Sequence, residues 1–161
     1  MSVPRDHDAI EALYEELGPV LLAYARSLVR DAAEAEDALQ QVFVKLMTAR
    51  DAALPEEPRP YLFRAVRNTC LNRRRAQGRQ AVHCDTPATF VAPAGLNGLA
   101  RDLEAALGAL PEEQREVVVL RVWGEMTFDE AAAVLGIPAN TVASRYRYAL
   151  AKLRQRFGAQ L

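Results

Sequence analysis

The sequence predicts an all-α protein made of two small helical domains joined by a flexible linker, and three observations carry that prediction. Alanine and leucine dominate a chain of 161 residues that is 50% hydrophobic, and both are strong helix formers. Long alternating β-branched runs are absent, whereas apolar residues recur three and four apart along most of the chain, the spacing of one helix face. Residues 77–97, QGRQAVHCDTPATFVAPAGLN, lose that period and carry Gly78, Pro87, Pro93 and Gly95, the composition of a linker. The chain therefore divides into residues 1–76, a linker over 77–97, and residues 98–161. Each piece is small enough that its own core gives only modest stability.

In the first piece, residues 8–30 read as a helix with Ile10, Leu13, Tyr14, Leu17, Leu21, Tyr24 and Leu28 on one broad stripe. Gly18-Pro19 should kink or briefly break it, because proline removes a helical N–H. Asp31 followed by Glu34 forms a capping pair for a second helix over about 32–50. Leu39, Val42, Phe43, Leu46 and Met47 supply its apolar face. Pro55, Pro58 and Pro60 make a rigid break, and Pro60 suits the first turn of a third helix over about 60–76. That helix should bury Leu62, Phe63, Val66, Cys70 and Leu71 and expose Arg64, Arg67, Asn68, Asn72, Arg73, Arg74 and Arg75.

The second piece is more sharply punctuated. Leu99, Leu103, Ala106, Leu107 and Leu110 line one helix, and Pro111 starts the next, PEEQREVVVLRVW, with acids in the first turn where the helix dipole favours them. Gly124 ends it. Thr127-Phe-Asp-Glu130 is a capping box opening a short helix that holds Ala131, Ala132, Val134 and Leu135. Gly136-Ile137-Pro138 then makes a turn, and Asn140 is the expected cap of the last helix. A short helix, a glycine-containing turn and a basic helix make a helix-turn-helix.

Charge is laid down in blocks. Residues 1–58 carry 5 basic and 12 acidic residues, and residues 59–84 carry 7 arginines and no acid. Residues 85–130 carry 3 basic and 9 acidic residues, and residues 131–161 carry 5 basic and none acidic. The net charge of −1 thus conceals two cationic segments, each free of acids. Separated blocks of this kind fit two anionic contacts plus surfaces for other partners; solvated helix faces are the plainer reading of either block alone.

Within the last helix, Val142, Tyr146, Ala149, Leu150, Leu153 and Phe157 share the inward face. Thr141, Ser144, Arg145, Tyr148 and Lys152 lie opposite, with Arg147 at the margin. Side chains on the N-terminal half of such a helix reach base edges in the major groove, where arginine suits guanine and Ser or Thr bind base or phosphate. Lys152, Arg154 and Arg156 lie further along, towards phosphates or simply towards water. Tyr148 equally suits ordinary surface packing.

Other functions fare worse. The longest apolar runs, such as Val117–Leu120, are far too short to span a bilayer, so no membrane insertion is expected. The opening MSVPRDHDAI is too polar for a signal peptide. Cys70 and Cys84 should be reduced thiols, and His83-Cys84 has no second metal-ligand pair, so neither a metal nor a cofactor is expected. There is no Gly-rich phosphate loop and no Ser/His/Asp set, so no catalytic residues are assigned.

The segment ALPEEQREVVVLRVWGEMTFDEAAAVLGIPANTVASRYRYALAKLR resembles region 4 of the extracytoplasmic-function (group 4) sigma factors of bacterial RNA polymerase. EAEDALQQVFVKL resembles region 2.2 of the same family, and YLFRAVRNTCLNRRR resembles regions 2.3 and 2.4. The resemblance covers nearly the whole chain outside the linker. It implies a promoter-specificity subunit that binds core RNA polymerase, acts in the cytoplasm at the nucleoid, and can be held by an anti-sigma factor. By position it places Asp37, Gln40, Gln41, Val44 and Lys45 on the polymerase-docking stretch, with Phe43 there or, preferably, in the core. It places Arg64, Arg67, Asn68, Asn72, Arg73 and Arg74 on the surface that recognises and melts the −10 element. Thr141, Ser144, Arg145, Arg147, Tyr148 and Lys152 fall on the −35 surface. Where the family often has Asp, Lys or Arg, and Arg, this chain has Asn72, Ala143 and Tyr148, which leaves its −35 sequence preference open. The acidic blocks would face the polymerase or an inhibitor. A linker of about 21 residues reaches roughly 70 Å when extended, enough for promoter elements roughly 60 Å apart. The rival expectation is a stand-alone helix-turn-helix regulator, whose N-terminal helices would dimerise or sense a ligand and whose operator would show two-fold half-sites.

Overall fold

The computed structural model describes residues 7–29, 31–49, 54–78 and 100–158. Among these residues every regular element is helical: α1 (His7–Leu28), α2 (Ala32–Thr48), α3 (Pro58–Ala76), α4 (Ala100–Ala109), α5 (Glu112–Val118), α6 (Phe128–Leu135) and α7 (Ala139–Phe157). A single wide π-helical turn over Val119–Trp123 continues α5. Leu99, His83, Cys84 and nearly all of the expected linker lie outside the described residues.

Helices α1, α2 and α3 pack against one another through Leu17, Leu21, Tyr24, Leu39, Val42, Phe43, Leu62, Phe63, Val66 and Cys70, all buried. The Tyr24 and Phe63 rings meet at 5.4 Å. Burial pushes the Cys70 thiol up to about 12, so it serves as a small apolar side chain. Gly18-Pro19 does not break α1, which runs unbroken through both. Pro19 sits on the solvent side, where the carbonyl it leaves unpaired is within reach of water, while buried Leu17 and Leu21 anchor the helix on either side. Asp31 does cap α2, its Oδ1 accepting from Ala33 N at 2.9 Å. The return half of that capping pair is not made, because Glu34 turns instead to Arg73. Helical periodicity also overreaches: Tyr14 and Met47 remain 44% and 43% exposed, although Tyr14 sets its ring edge-on to Phe43 at 5.0 Å.

The C-terminal half gathers around α5, where every residue from Arg115 to Leu120 is buried. Gly124 ends the helical run; a Cβ there would stand 2.5 Å from the Leu120 carbonyl oxygen, so no larger residue fits this close approach. The capping box forms as expected: Thr127 Oγ1 accepts from Glu130 N and Glu130 Oε1 from Thr127 N, both at 3.1 Å. Gly136 takes the left-handed conformation, φ 69°, that closes α6. Asn140 does not cap α7. The helix starts one residue earlier, at Ala139, because the Pro138 carbonyl already accepts from Thr141 and Val142.

The two halves also pack on each other, α5 against α1 and α6 against α3. Arg115 spans the junction, donating to the Gly108 and Leu110 carbonyls on its own side and to the Ser27 carbonyl of α1 at 3.1 Å. This explains why α1 is buried nearly all round between Leu17 and Val29, more than a helix covered on one face would be.

Candidate nucleic-acid interface

The recognition helix is held from below. Val142, Ala149 and Leu153 of α7 are buried against α5 and α6, and Tyr146 packs edge-on against Phe128 of α6 at 5.7 Å. Leu150 and Phe157, also expected inside, are half-buried. At 1.5 Å per residue the helix is about 28 Å long, sufficient to cross a major groove with its first turns and meet the backbone with its last.

The side chains expected to read DNA line the other face. Thr141, Ser144 and Arg145 are half-buried near its start, whereas Arg147, Tyr148 and Lys152 are exposed. Arg147 donates to Ser144 Oγ at 3.3 Å, which ties two of the predicted contacts together. Among the described residues none of the five cations of α7 is ion-paired, and its C-terminal stretch ends with Arg154 and Arg156 exposed. An unneutralised cationic helix of this kind raises the local concentration of phosphate.

The second cationic helix, α3, behaves differently. Arg64, Asn68 and Asn72 are exposed as expected. Arg67, Arg73 and Arg74, expected in the open, are half-buried and paired. Arg73 bridges Glu34 and the Gln41 side chain of α2 at 3.3 and 3.0 Å. Arg67 meets Glu116 of α5 at 3.2 Å, and Arg74 meets Glu112 at 2.7 Å. For Arg67 and Arg74 the periodicity reading fails because it does not count a helix face covered by the other half. Arg73 is instead covered within its own half, by polar side chains of α2 that an apolar pattern does not register.

On α2, Asp37, Gln40, Val44 and Lys45 are exposed, with Val44 at 55% an apolar side chain left in the open. Gln41 is half-buried against Arg73, and Phe43 is buried in the core. Glu112, Arg115 and Glu116 went unassigned in the sequence. Their signal was an arginine and a glutamate set directly before the apolar run Val117–Leu120, where one helix face cannot hide both.

The helix-turn-helix and its open cationic face define a DNA-binding protein of transcription, with a second, separate cationic helix. Residues 13–80 match the family described as Sigma-70 region 2, and residues 100–153 match that described as Sigma-70, region 4. Similar proteins include the RNA polymerase sigma-E factor of Streptomyces coelicolor, 36% identical over 146 residues, which span 87% of this chain and 81% of that one. The ECF RNA polymerase sigma factor SigL of Mycobacterium tuberculosis is 34% identical over 155 residues, 90% of this chain and 86% of that one. Among solved structures, the sigma factor RpoE in complex with the anti-sigma factor NepR from Bartonella quintana superposes with a TM-score of 0.75 at 27% identity, covering 97% of this chain and 100% of that one. CnrH in complex with the cytosolic domain of CnrY gives a TM-score of 0.66 at 27% identity, over 97% and 92% of the two chains. The chain belongs to the ECF RNA polymerase sigma factors.

Proposed function

We propose that this chain binds core RNA polymerase and directs it to promoters through two DNA contacts, with no catalytic chemistry and no cofactor of its own. Residues 98–161 grip the −35 element as duplex through Thr141, Ser144, Arg145, Arg147, Tyr148 and Lys152. Residues 1–76 recognise and open the −10 element through Arg64, Arg67, Asn68, Asn72, Arg73 and Arg74, and residues 77–97 join the two. The single observation that carries this reading is the row of unpaired cations on α7, held by the capped α6–turn–α7 unit. A freed base stacks or pockets while cations hold its backbone, which suits the arginines and asparagines of α3.

Polymerase docking falls to Asp37, Gln40, Gln41, Val44 and Lys45, where an exposed valine beside polar and charged neighbours suits the centre of a protein interface. The likeness to sigma factors solved with anti-sigma factors supports an anti-sigma partner for this chain and action in the cytoplasm at the nucleoid. The test is transcription by purified core polymerase plus this protein on a genomic fragment library. Start sites that share two sequence elements nearly two helical turns apart support the reading, and start sites unchanged by adding the protein oppose it.

A further inference from the structure

The two cationic helices differ in a way that a common role would not produce. Among the described residues the cations of α7 have no ion-pair partner, and all but the half-buried Arg145 are exposed. By contrast, α3 meets carboxylates of the opposite half at Arg67 and Arg74. Arg59, at the start of α3, makes a third link: it donates to the Gly124 carbonyl at 3.3 Å and lies 3.7 Å from Glu125. The acidic block before the recognition helix is thus turned inward upon the basic block of the first half.

The helix dipole accounts for only part of this placement. Glu112 and Glu113 occupy the first turn of α5, where negative charge is favoured, and Glu113 is exposed. Glu116 lies one turn further on, beyond the reach of that effect, with a side chain only 5% exposed. Its ion-pair partner is Arg67 of the other half, whose side chain is 23% exposed. Burying a carboxylate costs desolvation that its partner offsets only in part, and burial is the main reason its proton affinity is raised. If the halves part, both groups regain water. The seam therefore closes on specific partners without holding them tightly, as a reversible contact requires.

We infer that Glu112 and Glu116 stand in for the promoter backbone, occupying Arg67 and Arg74 in the free chain and so blocking its −10 surface until the halves separate. The inference rests on the reading of α3 as a DNA surface given above. Two carboxylates one turn apart on α5 present anionic oxygens to arginines two turns apart on α3, and phosphate competes for the same donors. The −35 surface stays available throughout, so a closed chain keeps one DNA contact and withholds the other.

The test uses the full chain with Cys84→Ser, labelled at Glu36→Cys and Gln155→Cys, two exposed positions on opposite halves; Cys70 is buried and takes no label. Energy transfer reports the separation of the halves, and fluorescence anisotropy of a short oligothymidylate reports single-strand binding. Glu112→Gln/Glu116→Gln should lengthen the label distance and tighten oligothymidylate binding about tenfold at low salt, the scale of two regained phosphate contacts. Glu113→Gln removes the same kind of charge from an exposed neighbour and should change neither reading. Adding Arg67→Ala/Arg74→Ala to the opened chain should abolish the gain in binding. If the buried substitution impairs folding, Glu112→Gln alone, at the rim of the seam, should move both readings in the same direction by less. A label distance unchanged by these substitutions overturns the closure. A longer distance without tighter binding overturns the blocking role and the DNA reading of α3, while the contact itself stands.

Discussion

Arg74 of α3 holds Glu112 of α5 at 2.7 Å across 38 residues of sequence, joining an arginine of the proposed −10 surface to an acid of the half proposed to bind the −35 element. Two turns away along α3, Arg67 and Glu116 repeat the arrangement at 3.2 Å. The same fold that presents the cationic face of α7 to solvent thus turns two arginines of α3 upon carboxylates of α5. In such half-buried pairs the attraction is largely offset by the desolvation of both charges, so contacts of this kind are within the reach of a competing polyanion or of polymerase.

Arg145 lies on the first turns of α7, half-buried at the margin of the face that carries the buried Val142, Ala149 and Leu153. Arg145→Ala should weaken −35 duplex binding by holoenzyme by about 1–3 kcal/mol if it removes a bidentate base contact. Competition binding with the variant holoenzyme, alongside a thermal melt to confirm folding, measures this. Unchanged affinity in a folded variant removes Arg145 from the −35 contact.

Asn68 and Arg64 are exposed polar side chains in the middle of α3, and neither is ion-paired among the described residues. Asn68→Ala or Arg64→Ala should leave closed-complex formation nearly intact and slow promoter opening, followed by permanganate reactivity of −10 thymines over time. Opening rates equal to wild type would show that this face does not handle the melted strand.

The pH dependence of stability isolates Glu116. Burial, the largest influence, raises its pKa above the ordinary carboxylate value, against the pull of Arg67. Between the unfolded pKa and the raised folded one, folded chains therefore hold a proton that unfolded chains have released. The associated stability is fully present below the unfolded pKa and is lost as pH rises through the raised folded value. Glu116→Gln does not titrate, so acidification from neutral pH towards the ordinary carboxylate range should shift the stability difference in favour of wild type. Denaturant melts of both proteins across that range provide the comparison, and a difference that is flat or moves towards the glutamine variant contradicts it.

Much of this was legible in the sequence because the signals were local. The Thr127–Glu130 capping box, Gly136 and the α7 stripe each act within a turn or two, and the structure forms them as the residues dictate. Asn140 and the Asp31–Glu34 pair were misread for a physical reason: a cap competes with other partners, and the Pro138 carbonyl and Arg73 supplied better ones. The covering of Arg67 and Arg74 could not be read from periodicity at all. It depends on a non-local contact between halves, and the hydrophobic pattern of α3 is the same whether its polar face meets water or Glu112 and Glu116.

We propose that promoter recognition belongs to the complex with polymerase and not to this chain alone. The free protein covers Arg67 and Arg74 of α3 and leaves α7 open, whose few phosphate contacts give little beyond non-specific affinity at physiological salt. Core polymerase would hold both halves at promoter spacing and make the second contact intramolecular, at high effective concentration. Promoter affinity should therefore be measured with the full chain, with and without core enzyme, at fixed salt. The account predicts weak binding by the protein alone, without two-fold half-sites, and tightening by orders of magnitude when core polymerase is added. Tight, specific binding by the purified protein alone, as a dimer on a palindrome, would contradict it.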